Sequence, residues 1–221
     1  MSKLGNFYNP NEMNLDKITD TYRVAFAGEP WFEVSKCVND DEFKKCNGEF
    51  CQTAVGAICP ECNNTPTEPA YNDTDLKAKF EMTADTKPTI WYTEESFDGV
   101  TLGATAYLSK PNQIAAEKYT DRPDMDIWLQ ATLGDNEIVW LDEIFANREI
   151  SPSGNLLNFK EICNGFMDRL KCSNFSFRTI NPKMISAAKK CFDGQVIVFE
   201  KEIDIPDRRD FVLISKIEDE K

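Results

Sequence analysis

The chain has 221 residues, with Lys+Arg 25 against Asp+Glu 38, so it carries a net charge of −13. That is enough length for one substantial core, or for a core plus a small annex, and the acidity argues against nonspecific nucleic-acid binding while suiting a cationic ligand. No apolar run approaches bilayer length and Met1–Pro10 lacks a secretory pattern, so no membrane role is expected and the cytoplasm is the expected compartment; sequons at Asn63, Asn72 and Asn174 carry no meaning there. His is absent, which excludes Ser-His-Asp and Cys-His catalysis and leaves acid–base work to Asp, Glu, Tyr, Cys or water.

Residues 1–13 are polar and irregular and read as a loose arm. From Asn14 to Ala27 the residues Leu15, Ile18, Tyr22, Ala25 and Phe26 share one helical face, and Asn14 is a competent N-cap; Gly28-Glu29-Pro30 stops this amphipathic helix. Five of the eight cysteines follow within residues 37–62: Cys37, Cys46, Cys51, Cys59 and Cys62. Cys59-Pro60-Glu61-Cys62 has the Cys-x-x-Cys form of a zinc knuckle, and Cys46-Asn47-Gly48-Glu49-Phe50 looks like half of another. Disulfides and a redox dithiol compete with this reading, but the expected compartment disfavours the first and the lack of a strand-then-helix pattern disfavours the second. A structural Zn2+ held by Cys37, Cys46, Cys59 and Cys62 is the expectation, with Cys51 as the alternative to Cys37 or Cys46. Residues 34–69 are too polar to bury a core of their own, so a metal would supply the missing stability to a cysteine-rich insertion in one domain spanning 1–221. Cys163, Cys172 and Cys191 read as small core residues.

A helix is expected over Thr74–Met82. Strands over Thr89–Thr93 and Val100–Leu108 are joined at the turn Phe97-Asp98-Gly99. The polar stretch Ser109–Asp124 holds a short helix at Gln113–Tyr119. Ile138–Asn147 is a nearly continuous apolar strand, covered on both faces and interrupted only by Asp142 and Glu143. A turn over Arg148–Ser153 leads to a helix opening at Gly154-Asn155, whose stripe is Leu156, Phe159, Ile162, Cys163, Phe166 and Leu170. Strand, turn and helix start would bring free backbone amides together as an anion site. Phe175–Ile180 is a strand. Asn181-Pro182 opens a helix with Met184, Ile185, Ala188 and Phe192 inward and Gly194 at its end, and Gln195–Lys201 and Phe211–Ile217 are the last strands.

The run Ile144-Phe145-Ala146-Asn147-Arg148-Glu149-Ile150-Ser151-Pro152-Ser153-Gly154-Asn155-Leu156 resembles motif A of the GCN5-related N-acetyltransferases, and the strand and helix order over about 200 residues is that family's order. The departures are Ser151 where Arg or Gln is usual and Leu156 where the second Gly is usual. The resemblance implies an α/β acyl-CoA N-acyltransferase fold, a mixed central sheet flanked by helices, here with a small metal-binding insertion. Gly103 takes the place where the family often has Gly in its third strand. Ala25–Glu33 resembles the end of the family's first helix, whose following loop covers the acceptor cleft; Phe26 and Trp31 either line that cleft or pack the helix end.

The implied reaction is direct acetyl transfer from acetyl-CoA to a small-molecule amine or a peptide amine. The backbone of Ile144, Phe145 and Ala146 would pair with the pantetheine arm, the amides of Ser153, Gly154, Asn155 and Leu156 would face the pyrophosphate, Ser151 would add a hydroxyl, and Asn181 would lie near the cofactor. Asp142 and Glu143 resemble the acidic pair of polyamine acetyltransferases; Glu143 is the first choice of base, because alternation lets only one reach the acceptor unless the strand bulges. The family's usual acid, a Tyr seven residues after the Asn, is replaced by Ala188. The alternative is a non-catalytic binding module whose knuckle contacts a protein partner. The oligomeric state is left open, a dimer included.

Overall fold

The computed structural model describes residues 5–27, 33–37, 50–60, 62–63, 66–120, 122–147, 158–179, 181–199 and 210–215. The chain begins with a strand, β1 (Gly5–Tyr8), and a 3-10 turn at Pro10–Glu12, followed by α1 (Leu15–Ala27). Three short strands then form a small antiparallel sheet in the order β3-β2-β4: β2 (Ser35–Cys37), β3 (Phe50–Cys51) and β4 (Thr67–Pro69). Next come α2 (Asp73–Thr86), β5 (Thr89–Ser96), β6 (Gly99–Ser109), α3 (Pro111–Lys118), α4 (Pro123–Leu133) and β7 (Ile138–Ala146). The last elements are α5 (Phe159–Leu170), β8 (Asn174–Thr179), α6 (Pro182–Cys191), β9 (Val196–Phe199) and β10 (Asp210–Ser215).

Among the described residues seven strands make one mixed sheet, ordered β1-β5-β6-β7-β8-β10-β9. All its neighbours are antiparallel except β7 and β8, which are parallel and need the crossover that α5 supplies. One face carries α5 and α6. Leu102, Ala106, Val139, Leu141, Phe175 and Val212 pack there against the inward stripe of Phe159, Ile162, Cys163 and Phe166, all at most 4% exposed. The other face carries two separate clusters. Trp91 and Phe145 pack with Ile18, Tyr22, Leu76 and Phe80 of α1 and α2. Trp140 and Phe211 pack with Ile114, Met125 and Leu129 of α3 and α4. Between these two clusters lies the polar region considered below.

Three expectations are corrected. The expected loose arm contains β1, which pairs with Trp91–Glu94 of β5 and seats the Phe7 ring edge-on against Phe166 at 5.2 Å. The stretch after Ser109 holds two helices: α4 follows α3 immediately, each opened by a Pro at its first turn, and its mixed pattern, with Ile127 exposed and Met125, Leu129 and Leu133 buried, hides the helical period. The helix after β7 is described over Phe159–Leu170, and the expected opening at Gly154-Asn155 lies outside the described residues. The helix expected at Thr74–Met82 extends to Thr86, capped by Asn72, whose side chain accepts the Asp75 amide at 2.8 Å.

Two glycines are required by close approach. A Cβ on Gly103 of β6 would overlap the ring of Phe145, its partner across the ladder, and one on Gly165 of α5 would overlap the ring of Phe7. Gly165→Ala is therefore expected to lower stability by about 1–3 kcal/mol in denaturant unfolding. Combining it with Phe7→Ala should recover part of that loss, and simple additivity in the double-mutant cycle would show that the two side chains do not compete for one volume.

Candidate functional site

The site is built on the second half of β7. On one side β7 pairs with β6 along its whole length, from Ser109↔Ile138 to Leu102↔Ala146. On its other side the parallel ladder with β8 consists, among the described residues, of Val139↔Phe175 and Trp140↔Ser176. Beyond Trp140 the strands part, although β8 continues to Thr179 and stays fully paired with β10. The sheet therefore opens at the carboxyl ends of two adjacent parallel strands, leaving a gap in its middle beside Leu141–Ala146.

The β6–β7 register shifts at the same level: Thr105 faces Glu143 and Ala106 faces Leu141, so Asp142 is the extra residue of a β-bulge. The bulge changes which faces the carboxylates occupy. Val139, Leu141 and Ile144 turn toward α5 and α6, whereas Ile138, Trp140 and Phe145 turn to the face that carries α1–α4. Asp142 and Glu143 both lie on this second face, Asp142 bound to Lys118 of α3 and Glu143 to Lys79 of α2. The strand thus has the bulge that was the stated exception to alternation, and the inserted residue puts both carboxylates on one face.

Glu143 lies in an aromatic and acidic cluster. Its Oε1 accepts from the Tyr22 hydroxyl at 3.3 Å and pairs with the Lys79 ammonium, which also donates to the Tyr22 oxygen at 3.3 Å and lies 5.4 Å from the centre of that ring. Tyr22 stacks on Phe26 at 4.4 Å and meets Tyr71 and Phe145 edge-on, each at 5.1 Å. The Tyr71 hydroxyl donates to a second carboxylate, Glu33, which lies within the electrostatic reach of Glu143 and Lys79. Burial first, then the neighbouring carboxylates, hold both phenols well above the usual tyrosine pKa, so they remain neutral donors at any working pH. Burial also raises the Glu33 pKa; the Tyr71 hydrogen bond opposes that shift and the Glu143 charge adds to it. Residues beside the first helix came under consideration through Phe26 and Trp31. Phe26 is in the cluster and Trp31 lies outside the described residues, while Glu33 and Tyr71 have no periodic signal that would have picked them out.

Asp142, with its side chain 9% exposed, is held by Lys118 at 2.8 Å. The Lys118 ammonium also lies 5.9 Å from the Tyr107 ring and 6.0 Å from the Trp140 ring. Three buried polar atoms next to the bulge have no hydrogen-bond partner among the described residues: Thr105 Oγ1, Tyr107 OH and Trp140 Nε1. Leaving such a group unpaired costs about 1–3 kcal/mol, so the neighbourhood of the two carboxylates carries a local polar cost.

Ile144, Phe145 and Ala146 lie along the gap; Phe145 is 3% exposed and the other two are half-buried. Ser151, Ser153, Gly154, Asn155 and Leu156, the residues expected to face the pyrophosphate, lie outside the described residues. The start of α5 is tied to the sheet instead by Asn158, whose Nδ2 donates at 3.0 Å to the fully buried Glu94; Tyr92 donates to the same oxygen at 3.0 Å. Asn181 caps α6, its Oδ1 accepting the Lys183 amide at 3.0 Å. Ala188, at the expected place of the acid, is fully buried against α5.

Of the four cysteines expected to bind metal, three come together: the Sγ atoms of Cys37, Cys59 and Cys62 lie within 4.8 Å of one another. Cys46 is outside the described residues. Cys163 is fully buried, and burial pushes its thiol pKa well up, as befits an inert core residue.

No family model matches the chain, and no curated protein matches it in sequence. Solved structures do match in shape. A histone acetyltransferase HPA2 and related acetyltransferase from Corynebacterium glutamicum superposes with a TM-score of 0.51 at 10% identity, over 99% of this chain and 98% of that one. A variant of the spermidine N-acetyltransferase SpeG from Vibrio cholerae gives 0.45 at 9% identity, over 96% and 94%. The ribosomal-protein-S18-alanine N-acetyltransferase from Escherichia coli gives 0.45 at 8%, over 99% of each chain. The chain thus has a GCN5-related N-acetyltransferase type of fold, an α/β architecture with a mixed sheet between helices. At this identity the likeness fixes the architecture and carries no substrate with it.

The raised pKa of Glu33 has a thermodynamic consequence. The folded chain holds a proton on Glu33 more tightly than the unfolded chain does, so this group lowers stability as pH rises from the usual glutamate value of 4.5 through the raised folded value. Glu33→Gln should therefore compare more favourably with the parent above that window than at pH 4, read as the difference in melting temperature between the two proteins at each pH. A pH-independent difference would mean that Glu33 titrates alike in both states.

Proposed function

We propose that the protein is an acetyl-CoA-dependent N-acetyltransferase that acts by direct transfer on a cationic small amine or peptide amine. One observation carries this reading: β7 and β8 part at the level where a bulge turns Asp142 and Glu143 onto the same face. A gap in mid-sheet is wasteful for a purely structural protein, because it forgoes ladder hydrogen bonds, but it suits an extended arm lying along Ile144, Phe145 and Ala146. Bound acetyl-CoA would supply the thioester, with Ser151 and the amides of Ser153, Gly154, Asn155 and Leu156 facing its pyrophosphate and Asn181 standing at the far wall of the gap.

The amine has to lose its proton before it can attack. An ordinary ammonium has a pKa near 10.4, so bringing it neutral at pH 7 costs about 4.6 kcal/mol in water. Glu143 is suited to take this proton, half-buried and within reach of the cleft, and Lys118 holds Asp142 beside it as the second candidate. Glu33, Asp142 and Glu143 against Lys79 and Lys118 leave one formal negative charge, matched to one ammonium. Tyr22 already has one ammonium, that of Lys79, near its ring, so the walls suit this class of ligand. Attack on the thioester carbonyl forms the amide C–N bond and breaks the C–S bond. The nitrogen gives up its second proton as the C–S bond breaks, and the released thiolate takes up one proton through water or another donor, since the usual tyrosine position is Ala188, closed within the core. The open gap and paired carboxylates weigh against a non-catalytic module.

Calorimetric titration with acetyl-CoA is expected to give saturable binding that Gly154→Val weakens, and amine screening with a free-thiol readout should find turnover. Glu143→Gln should lower kcat by about 10²–10⁴-fold with acetyl-CoA affinity unchanged, and Asp142→Asn should cost less. Absence of any binding heat would overturn the acetyltransferase reading.

A further inference from the structure

Among the described residues the small sheet of β2, β3 and β4 has almost no apolar interior. The buried cluster it contributes consists of Cys37 and Cys59, both fully buried, with Cys62 packed against them, whereas Val55 and Ile58 are half-exposed. Polar bonds shape the rest: Thr67 Oγ1 donates to the carbonyls of Ala54 and Ala57 at 3.0 and 3.1 Å, and Ser35 Oγ donates to that of Thr53 at 2.7 Å. Asn63, in the left-handed region at φ 53°, donates its amide to the Cys59 carbonyl at 2.8 Å and closes the Cys-x-x-Cys turn. Three thiols in place of a core are not enough to order such a piece of chain against its conformational entropy.

The spacing of the sulfurs indicates what is. Cys37 Sγ and Cys62 Sγ are 3.8 Å apart, far beyond the 2.05 Å of an S–S bond between them. Four sulfurs at about 2.3 Å from one zinc ion lie at the corners of a tetrahedron with edges of about 3.8 Å. We propose that Cys37, Cys59 and Cys62 are thiolate ligands of a structural Zn2+, and that this clasp positions Glu33 and Tyr71 in the acceptor cleft.

The second part follows from where the clasped piece joins the sheet. Glu33 precedes β2 and Tyr71 follows β4, and the two are linked across the neck by the Tyr71–Glu33 hydrogen bond and by the Ala70 amide, which donates to the Val34 carbonyl at 3.3 Å. The Glu33 amide donates to the Phe26 carbonyl at 2.8 Å, and Lys36 pairs with Asp75 at 3.6 Å. The β2–β4 ladder sets the spacing of the two strands that deliver Glu33 and Tyr71, and an ion joining Cys37 of β2 to the Cys59–Cys62 turn ahead of β4 would hold that ladder closed. The cysteines are positioning residues and touch no substrate; their link to the acceptor rests on the acetyltransferase reading, while the metal site stands independently of it.

The test uses the full chain purified with a phosphine reductant. Elemental analysis should find close to one zinc per chain, and cobalt substitution should give the intense visible bands of tetrahedral thiolate coordination. Cys59→Ser and Cys62→Ser should each reduce bound zinc at least tenfold; the cobalt titration of the parent decides the matter should a variant fail to fold. Stripping the metal should reduce hydrogen-exchange protection of amides 33–37 and 66–71 while leaving β5–β8 protected. A metal-free chain with intact protection there, or a disulfide among these cysteines by mass spectrometry, overturns the site. Unchanged protection on stripping overturns the positioning role. Failure to find any amine turnover bears on the acetyltransferase reading and leaves the zinc result standing.

Discussion

The parting of β7 from β8 after Trp140 is the constraint on which the rest of the molecule turns. A parallel pair is normally held by regular backbone hydrogen bonds, and giving them up must be balanced elsewhere. Here β6 holds β7 over its entire length and β10 holds β8 over all six of its residues, so each half of the sheet is secured from its outer side. The helices divide the same way. α5 and α6 cover one face across the divide, and the two aromatic clusters on the other face stay apart, which leaves room for charged side chains between them.

The bulge at Asp142 acts on that arrangement rather than creating it. In a regular strand one of the two carboxylates would face Phe159 and Phe166, where an unpaired charge could not be tolerated. Inserting one residue turns both toward lysines, and each lysine comes from a different helix. Charge pairing, strand register and helix placement are thus one problem with a joint solution. Gly103 contributes to it as well, since a side chain there would displace Phe145 and with it the ring against which Tyr22 rests.

Much of this was legible in the sequence where the signal is local. The nearly continuous apolar run of β7, the stripe of α5, the Asp-Gly turn between β5 and β6 and the cap of α6 all follow from residue order alone. Asp142 and Glu143 stood out because two carboxylates interrupt that run. The bulge did not, because it is a property of pairing with β6, and β1 did not, because four residues become a strand only through Phe7 finding Phe166 far along the chain. α4 was obscured by Ile127, exposed in the middle of its pattern. Glu33 and Tyr71 sit outside regular elements, and their meeting depends on how the cysteine-rich piece folds back, which no periodicity records.

The placement of β1 also bears on how the chain behaves in a crowded solution. Without it, the outermost row of the sheet would be β5, eight residues long and carrying Trp91 and Tyr92, a flat and sticky template for strand addition from a second molecule. With it, Gly5–Tyr8 takes up the outward ladder positions along Trp91–Glu94, so the backbone groups through which β5 could template another chain are already engaged, and the aromatic row is kept from that border.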